Sequence, residues 1–197
     1  METKITKNNI DWKSINNSCR NTISLKESDK EPSSEWKKKL LIAQHSPIRK
    51  GTVEFRWDEI PYAISTHFAR HHEGIEKFIS TSREDRTGID RTQRSQMDMV
   101  SMEVIANIQA ILNISEKRLC NCADSTTIKY WKSFLSELEK IEPEVFWACV
   151  PSCVRCGGCI ETFGGCRFYE DFSKDFMSEE HTDITKRYDA YQRVRKR

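Results

Sequence analysis

A chain of 197 residues with 37% hydrophobic and 31% charged residues can build a modest core under a polar surface, which points to one domain with an appended piece. Its net charge of +2, with both signs interspersed, gives no sign of a general nucleic-acid binder, and no nucleic-acid partner is expected. No apolar run approaches the roughly 20 residues that cross a bilayer, and residues 1–11 lack a signal-peptide apolar stretch. A cytoplasmic location is therefore expected, with the eight cysteines read as thiols or metal ligands rather than disulfides.

Residues 1–34 are rich in Asn, Ser, Lys and Glu and are expected to form a mobile extension or loosely packed cover, pinned by Trp12. Ser34 then caps a short helix over 35–44, with Trp36, Leu40 and Leu41 at helical spacing. Alternation in Val53-Glu54-Phe55-Arg56-Trp57 predicts a strand with one buried face. Pro61 opens a helix at its tolerated first position, with Ile64 and Phe68 toward the core and Gly74 at its end. Phe78-Ile79 suggests a second short strand, and a polar loop closed by Gly88 follows. A long helix is expected over 92–119, because Val100, Val104, Ile108, Ile111 and Leu112 recur at helical spacing. A second helix, capped by Ser125, carries Ile128, Trp131, Phe134 or Leu135, and Leu138. The short link between the two implies an antiparallel pair. Residues 35–148 form the main domain in this reading. Residues 149–197 form a Cys-rich segment and a charged, helical tail with a basic end.

The densest chemistry lies in Thr66-His67-Phe68-Ala69-Arg70-His71-His72-Glu73-Gly74, followed by Arg83, Glu84, Asp85 and Arg86. Titratable groups at this density are costly to bury unpaired, so they should line a polar cleft. Phosphate suits such a cleft, because arginine forks match phosphate oxygens two at a time. His67 and His71 are spaced as a helical metal pair, but Phe68 stands where a zinc hydrolase would place its glutamate. A plain group of surface histidines is the bland alternative.

In order and spacing these residues resemble the flavin-dependent thymidylate synthases. That family carries Arg-His-Arg, seven residues, Ser, and an Arg shortly after. Here Arg70-His71-His72 is followed by seven residues and then Ser80, with Ser82 and Arg83 just beyond. The family also places Asn, five residues, Asn, four residues, Arg on its core helix. Asn107, Asn113 and Arg118 have that spacing. An unbroken helix would put Asn107 and Arg118 on one face, about 16 Å apart along the axis. Three departures stand out: His72 replaces the motif's second arginine, Ser80-Thr81-Ser82-Arg83 is one residue longer than Ser-x-Arg, and Gln109 stands where the family has arginine. The likeness spans residues 35–149.

The resemblance implies an α+β fold of the thymidylate synthase-complementing-protein type with a long core helix pair, to which this sequence adds a small Cys-rich C-terminal extension. It implies a homotetramer with FAD bound where subunits meet. It further implies methylenetetrahydrofolate as carbon donor, NADPH as reductant, and methylation of dUMP to dTMP. On that reading Arg83 and Arg86 take the nucleotide phosphate, and Ser80 or Ser82 lies beside the uracil. Arg118 stabilises charge developing on the uracil. Arg70, His71, His72, Asn107 and Asn113 contact flavin. A different C5 product, such as a hydroxymethylated nucleotide, keeps the same site. A non-catalytic zinc-bearing interaction module is the rival from another class.

The segment Cys149-x3-Cys153-x2-Cys156-x2-Cys159-x6-Cys166 lies outside the family pattern. Thiolates at such spacing, among glycines, suit a tetrahedral zinc with Zn–S near ~2.3 Å. The ferredoxin continuation x3-Cys-Pro is missing, which favours zinc over an iron–sulfur cluster. The expected ligands are Cys149, Cys153, Cys159 and Cys166, with Cys156 spare. Cys120 and Cys122 lie apart in sequence and read as structural. Unligated, reduced cysteines in a glycine-rich loop are the plain alternative.

Overall fold

The computed structural model describes residues 2–176 and 182–195; Lys196 and Arg197 of the expected basic end lie outside them. Four antiparallel strands form one sheet in the order β1-β2-β4-β3. They are β1 (Thr3–Asn8), β2 (Thr52–Pro61), β3 (Ile75–Ile79) and β4 (Met99–Asn107). Helices α1 (Trp12–Thr22) and α2 (Ser34–Ala43) lie between β1 and β2, α3 (Tyr62–Ala69) between β2 and β3, and the single turn α4 (Glu84–Thr87) between β3 and β4. After the sheet come α5 (Ile108–Arg118), α6 (Ser125–Ile141), α7 (Pro143–Ala148), α8 (Ser152–Cys156), α9 (Phe168–Phe176) and α10 (Ile184–Arg195). The mixed helix-and-sheet class expected from the sequence is what the chain forms.

The core sits between the sheet and α6. Val53, Phe55 and Trp57 of β2 and Met102, Val104 and Ala106 of β4 are all buried, because alternate residues of a strand share one face. α6 answers with Trp131, Phe134, Leu135 and Leu138, each fully buried. Phe55 stacks on Phe134 with centroids 4.0 Å apart, and Trp57 lies against Phe68 of α3 at 4.8 Å. The indoles of Trp57 and Trp131, both wholly enclosed, find acceptors: Trp57 Nε1 donates to Thr3 Oγ1 at 2.8 Å and Trp131 Nε1 to Ser115 Oγ at 2.9 Å. The second bond ties α6 to α5.

Two expectations are corrected. The N-terminal residues are not a loose cover. β1 pairs with β2 along its length, and Ile15 of α1 is buried. The Trp12 indole and the Asn8 amide both donate to the buried Glu142 carboxylate at 2.8 Å. Lys4 and Lys7 keep this edge strand charged on its open side, a common guard against edge-to-edge pairing.

The long helix over 92–119 is instead a strand followed by a helix. A spacing of four, as in Val100, Val104 and Ile108, satisfies both a helical period and a period of two. Met102 and Ala106 fill the alternate positions and decide for β4. Asn107 then stands outside the helix as the N-cap of α5, its Oδ1 accepting from Ala110 N at 2.8 Å. Smaller shifts concern caps: Ser33 rather than Ser34 caps α2, and Asp124 rather than Ser125 caps α6.

Beyond α6, Arg187 of α10 holds the C-terminal segment onto α8. Its Nε donates to Val154 O and its Nη2 to Arg155 O, both at 2.8 Å. Trp147 Nε1 donates to Asp189 Oδ1 at 2.8 Å. No helix among the described residues is long and apolar enough to cross a membrane.

Candidate functional site

β2 feeds α3 and β4 feeds α5, so the C-terminal ends of two helices meet. Arg118, in the last turn of α5, reaches back to α3. Its Nη2 donates to His67 O at 2.6 Å, and its Nε donates to His71 Nε2 at 3.3 Å. A guanidinium has only donors, so His71 Nε2 must be the bare nitrogen of a neutral ring. Burial, then the charges of Arg118, Lys77 and His72, bring the His71 imidazole down to about 4. Lys77 of β3 donates to His71 O, and burial lowers its ammonium pKa. Burial and the charge of Arg70 also hold Arg118 below the usual guanidinium range, with Asp124 opposing them. Arg118, Lys77 and His72 thus crowd one neutral histidine, with Arg70 beside Arg118. Such a group attracts an anion or developing negative charge.

His67 has a different job. Its Nδ1 lies 2.6 Å from Thr127 Oγ1, and Thr127 in turn bonds the capping Asp124 through both N and Oγ1. The contact fixes α3 on the start of α6. With His67 engaged there and His71 accepting from Arg118, the pair does not form a metal site. Among the described residues no three His, Cys, Asp or Glu side chains are arranged to hold an ion.

A second polar surface lies where β4 ends. A cavity of about 570 Å³ is lined by Gln44, Arg49, Glu73, Gly74, Asn107, Gln109 and Asn113. Gln109 Nε2 donates to Asn113 Oδ1 at 3.0 Å and to Gln44 Oε1 at 2.9 Å. Gly74 has φ +69°, and a Cβ there would run into the Asn107 amide. The cavity wall therefore requires glycine twice over, for its backbone angle and for the close approach. Gln44, Arg49 and Lys77 were not singled out from sequence. Gln44 occupies a left-handed helix end, and only the fold shows where its side chain goes.

The serine–arginine loop is a third location. Ser80 continues the ladder beyond β3, with its N bonded to Ser101 O at 2.9 Å and its Oγ accepting from Ser101 N at 3.1 Å. Ser82 is half-buried, and Arg83 and Arg86 are exposed. Arg83 makes a two-point contact with Asp85 at 2.9 and 2.7 Å. Arg83, Glu84, Asp85 and Arg91 border an open cleft of their own. One chain therefore joins Arg118 to His71 and gathers Asn107 with Asn113. Arg83 faces a separate cleft.

The cysteines part company with expectation. Cys149 is fully buried, and burial pushes its thiol up to about 11 against a bond with Ser115. A thiol enclosed in the core is not a ligand for the exposed loop. Cys120 and Cys122, expected to stand apart, instead border the same cavity as Cys153, Cys159 and Cys166.

No protein-family model matches the sequence, and no curated protein matches it. Solved structures do resemble the fold. The flavin-dependent thymidylate synthase ThyX from Helicobacter pylori, complexed with FAD and dUMP, superposes with a TM-score of 0.63 at 10% identity, covering 76% of this chain and 100% of that one. A UMP/dUMP methylase, PolB from Streptomyces cacaoi, bound with 5-Br dUMP, gives a TM-score of 0.61 at 10% identity, covering 74% and 93%. The chain has the fold of these enzymes.

Proposed function

We propose that this protein is a nucleotide C5-methyltransferase that converts dUMP to dTMP, with FAD as cofactor, methylenetetrahydrofolate as carbon donor and NADPH as reductant. The observation that carries the reading is the Arg118–His71 contact. Two motifs distant in sequence, both family-like in spacing, meet at 3.3 Å in a fold shared with enzymes whose structures hold FAD and dUMP.

The residues present suit a flavin. The Gly74 wall, with the amides of Asn107, Gln109 and Asn113 and the Arg49 guanidinium, offers a side-chain-free edge and polar groups for a flat heteroaromatic ring and its phosphates. Bound flavin would supply the redox relay between nicotinamide and pyrimidine. The chain's own groups would orient and stabilise. Arg118, already oriented by His67 O and His71, presents its remaining N–H groups to negative charge growing on the uracil as C5 attacks. The C5 hydrogen would leave as a proton, the methylene would break from the folate nitrogens to join C5 and release tetrahydrofolate, and a hydride originating in NADPH would complete the methyl and leave NADP+. Arg70 adds positive potential, and His72 borders the same cluster. Arg83 and Arg86 take the phosphate, and Ser80 or Ser82 borders the uracil.

The separation of the Arg118, Asn107 and Arg83 regions within one chain supports assembly of the complete site from several copies, as a homotetramer. The test is direct. Purified protein incubated with FAD, NADPH, methylenetetrahydrofolate and dUMP should form dTMP and should retain flavin through gel filtration. Flavin retention with a C5 product other than dTMP would move the assignment to hydroxymethylation or a related change. No flavin binding and no product would refute it.

A further inference from the structure

Five thiols from two distant parts of the chain surround one cavity. It measures about 440 Å³ and is bordered by Cys120 and Cys122 on one side and by Cys153, Cys159 and Cys166 on the other. The first pair sits on the link between α5 and α6. That link turns tightly, with Ala123 N bonded to Cys120 O at 2.9 Å, so both thiols of Cys120-Asn121-Cys122 belong to one turn. Cys153 is on α8, whose end is closed by Gly157 N and Gly158 N donating to Cys153 O at 3.0 Å. Cys166 follows Gly164, at φ +100°, and Gly165.

The two sides touch. Cys122 Sγ lies 4.0 Å from Gly164 O. The Cys122 thiol interacts with those of Cys120 and Cys166, and the Cys153 thiol has Cys120, Cys166 and, less strongly, Cys159 as neighbours. Cys149 is sealed in the core, and Cys156 does not border the cavity.

We propose that Cys120, Cys122, Cys153 and Cys166 form one tetrahedral zinc-binding centre that clamps the α5–α6 link to the C-terminal segment. Four thiolates from two loops are a common closed structural zinc set. The sulfurs border one cavity, and among the described residues they are not yet arranged to hold an ion. Zinc would draw them to about 2.3 Å, because metal binding is coupled to local folding. The glycines at 157, 158, 164 and 165 give the C-terminal side freedom to close. The consequence reaches the candidate site. Cys120 is two residues after Arg118, so the clamp would fix the end of α5 that aims the guanidinium at α3.

The experiment reads metal rather than turnover, so its outcome is independent of the proposed chemistry. Full-length protein purified without chelator should carry one zinc per chain. Cys122→Ser, at an exposed position that tolerates the change, should reduce zinc to below about a tenth of an equivalent, as should Cys166→Ser. Cys149→Ser and Cys159→Ser should keep the full amount. Cadmium exchange into the wild-type chain should give thiolate charge-transfer absorption that is weaker in Cys120→Ser. Full zinc in Cys122→Ser would overturn the ligand set. So would iron in place of zinc, or metal-free wild-type protein in which every thiol titrates freely or the cavity thiols are found paired as disulfides.

Discussion

Arg118 Nε donates to His71 Nε2 at 3.3 Å, so a permanently charged guanidinium and a neutral imidazole form one unit across the α3–α5 junction. The same guanidinium caps His67 O, which fixes its plane. Arg118→Ala should lower dTMP formation by about 10²–10³, the range for losing one pre-oriented donor to developing charge. The fold should survive, as judged by circular dichroism, because the side chain is only half-buried. Arg118→Lys should rescue little, since an ammonium cannot satisfy both partners in one plane. Unchanged turnover at saturating dUMP would remove Arg118 from the catalytic list.

His71 gives a pH signature. Its folded pKa, about 4, lies below the ordinary 6.5. Between those values the unfolded chain binds a proton that the native chain does not. Stability should therefore fall as pH drops from 6.5 toward 4 and level off below. The ring is half-buried, so solvent screening shrinks the size of the effect without changing its sign. Urea midpoints at about pH 7 and about pH 5 should differ more in the wild type than in His71→Asn, which cannot titrate. Equal differences in the two proteins would mean that His71 titrates as an ordinary imidazole.

Both motifs that meet at Arg118 were legible in the sequence, because each is defined by local spacing. β2, α3 and the apolar face of α6 were legible for the same reason. β4 was misread because Val100, Val104 and Ile108 fit two periods at once, and only pairing with β2 and β3 decides between them. The N-terminal strand is short and polar on its open side. Besides its pairing with β2, it is held by a buried carboxylate more than a hundred residues away, Glu142, which accepts from Asn8. The Cys120–Cys122 pair looked isolated because proximity to Cys166 is a product of folding, not of spacing.

Glu142 therefore makes a test of the N-terminal segment. Its carboxylate accepts from Asn8 and from the Trp12 indole while 6% exposed. Glu142→Ala leaves two donors without partners and should cost about 2–4 kcal/mol, at about 1–3 per lost charged contact with partial compensation by water. Glu142→Gln keeps one good acceptor and should cost less. If chemical denaturation shows no loss in either variant, the segment is only loosely docked.

Arg83 and Arg86 should separate phosphate from base recognition. Arg83→Ala and Arg86→Ala should weaken binding of dUMP much more than binding of deoxyuridine. Arg83 must give up its contact with Asp85 to reach a ligand, so Asp85→Asn should tighten dUMP binding modestly. Titration calorimetry with nucleoside and nucleotide checks both. Parallel losses for the two ligands would argue against phosphate recognition by these arginines.

Asn107 carries two roles that substitution can pull apart. Its Oδ1 caps α5 through Ala110 N, and its side chain lies against Gly74 in the wall of the cavity assigned to flavin. Asn107→Ala loses the cap and should cost about 1 kcal/mol of stability, along with flavin retention. Asn107→Asp keeps a capping oxygen, and a carboxylate at a helix N-terminus is favourable. Its stability should therefore stay near wild type. It nevertheless replaces an amide donor with a negative charge in the cavity, so flavin retention should still fall. The diagnostic result is a variant that melts normally and is colourless after gel filtration with FAD. An Asn107→Asp protein that binds flavin as the wild type does would leave Asn107 as a helix cap and nothing more.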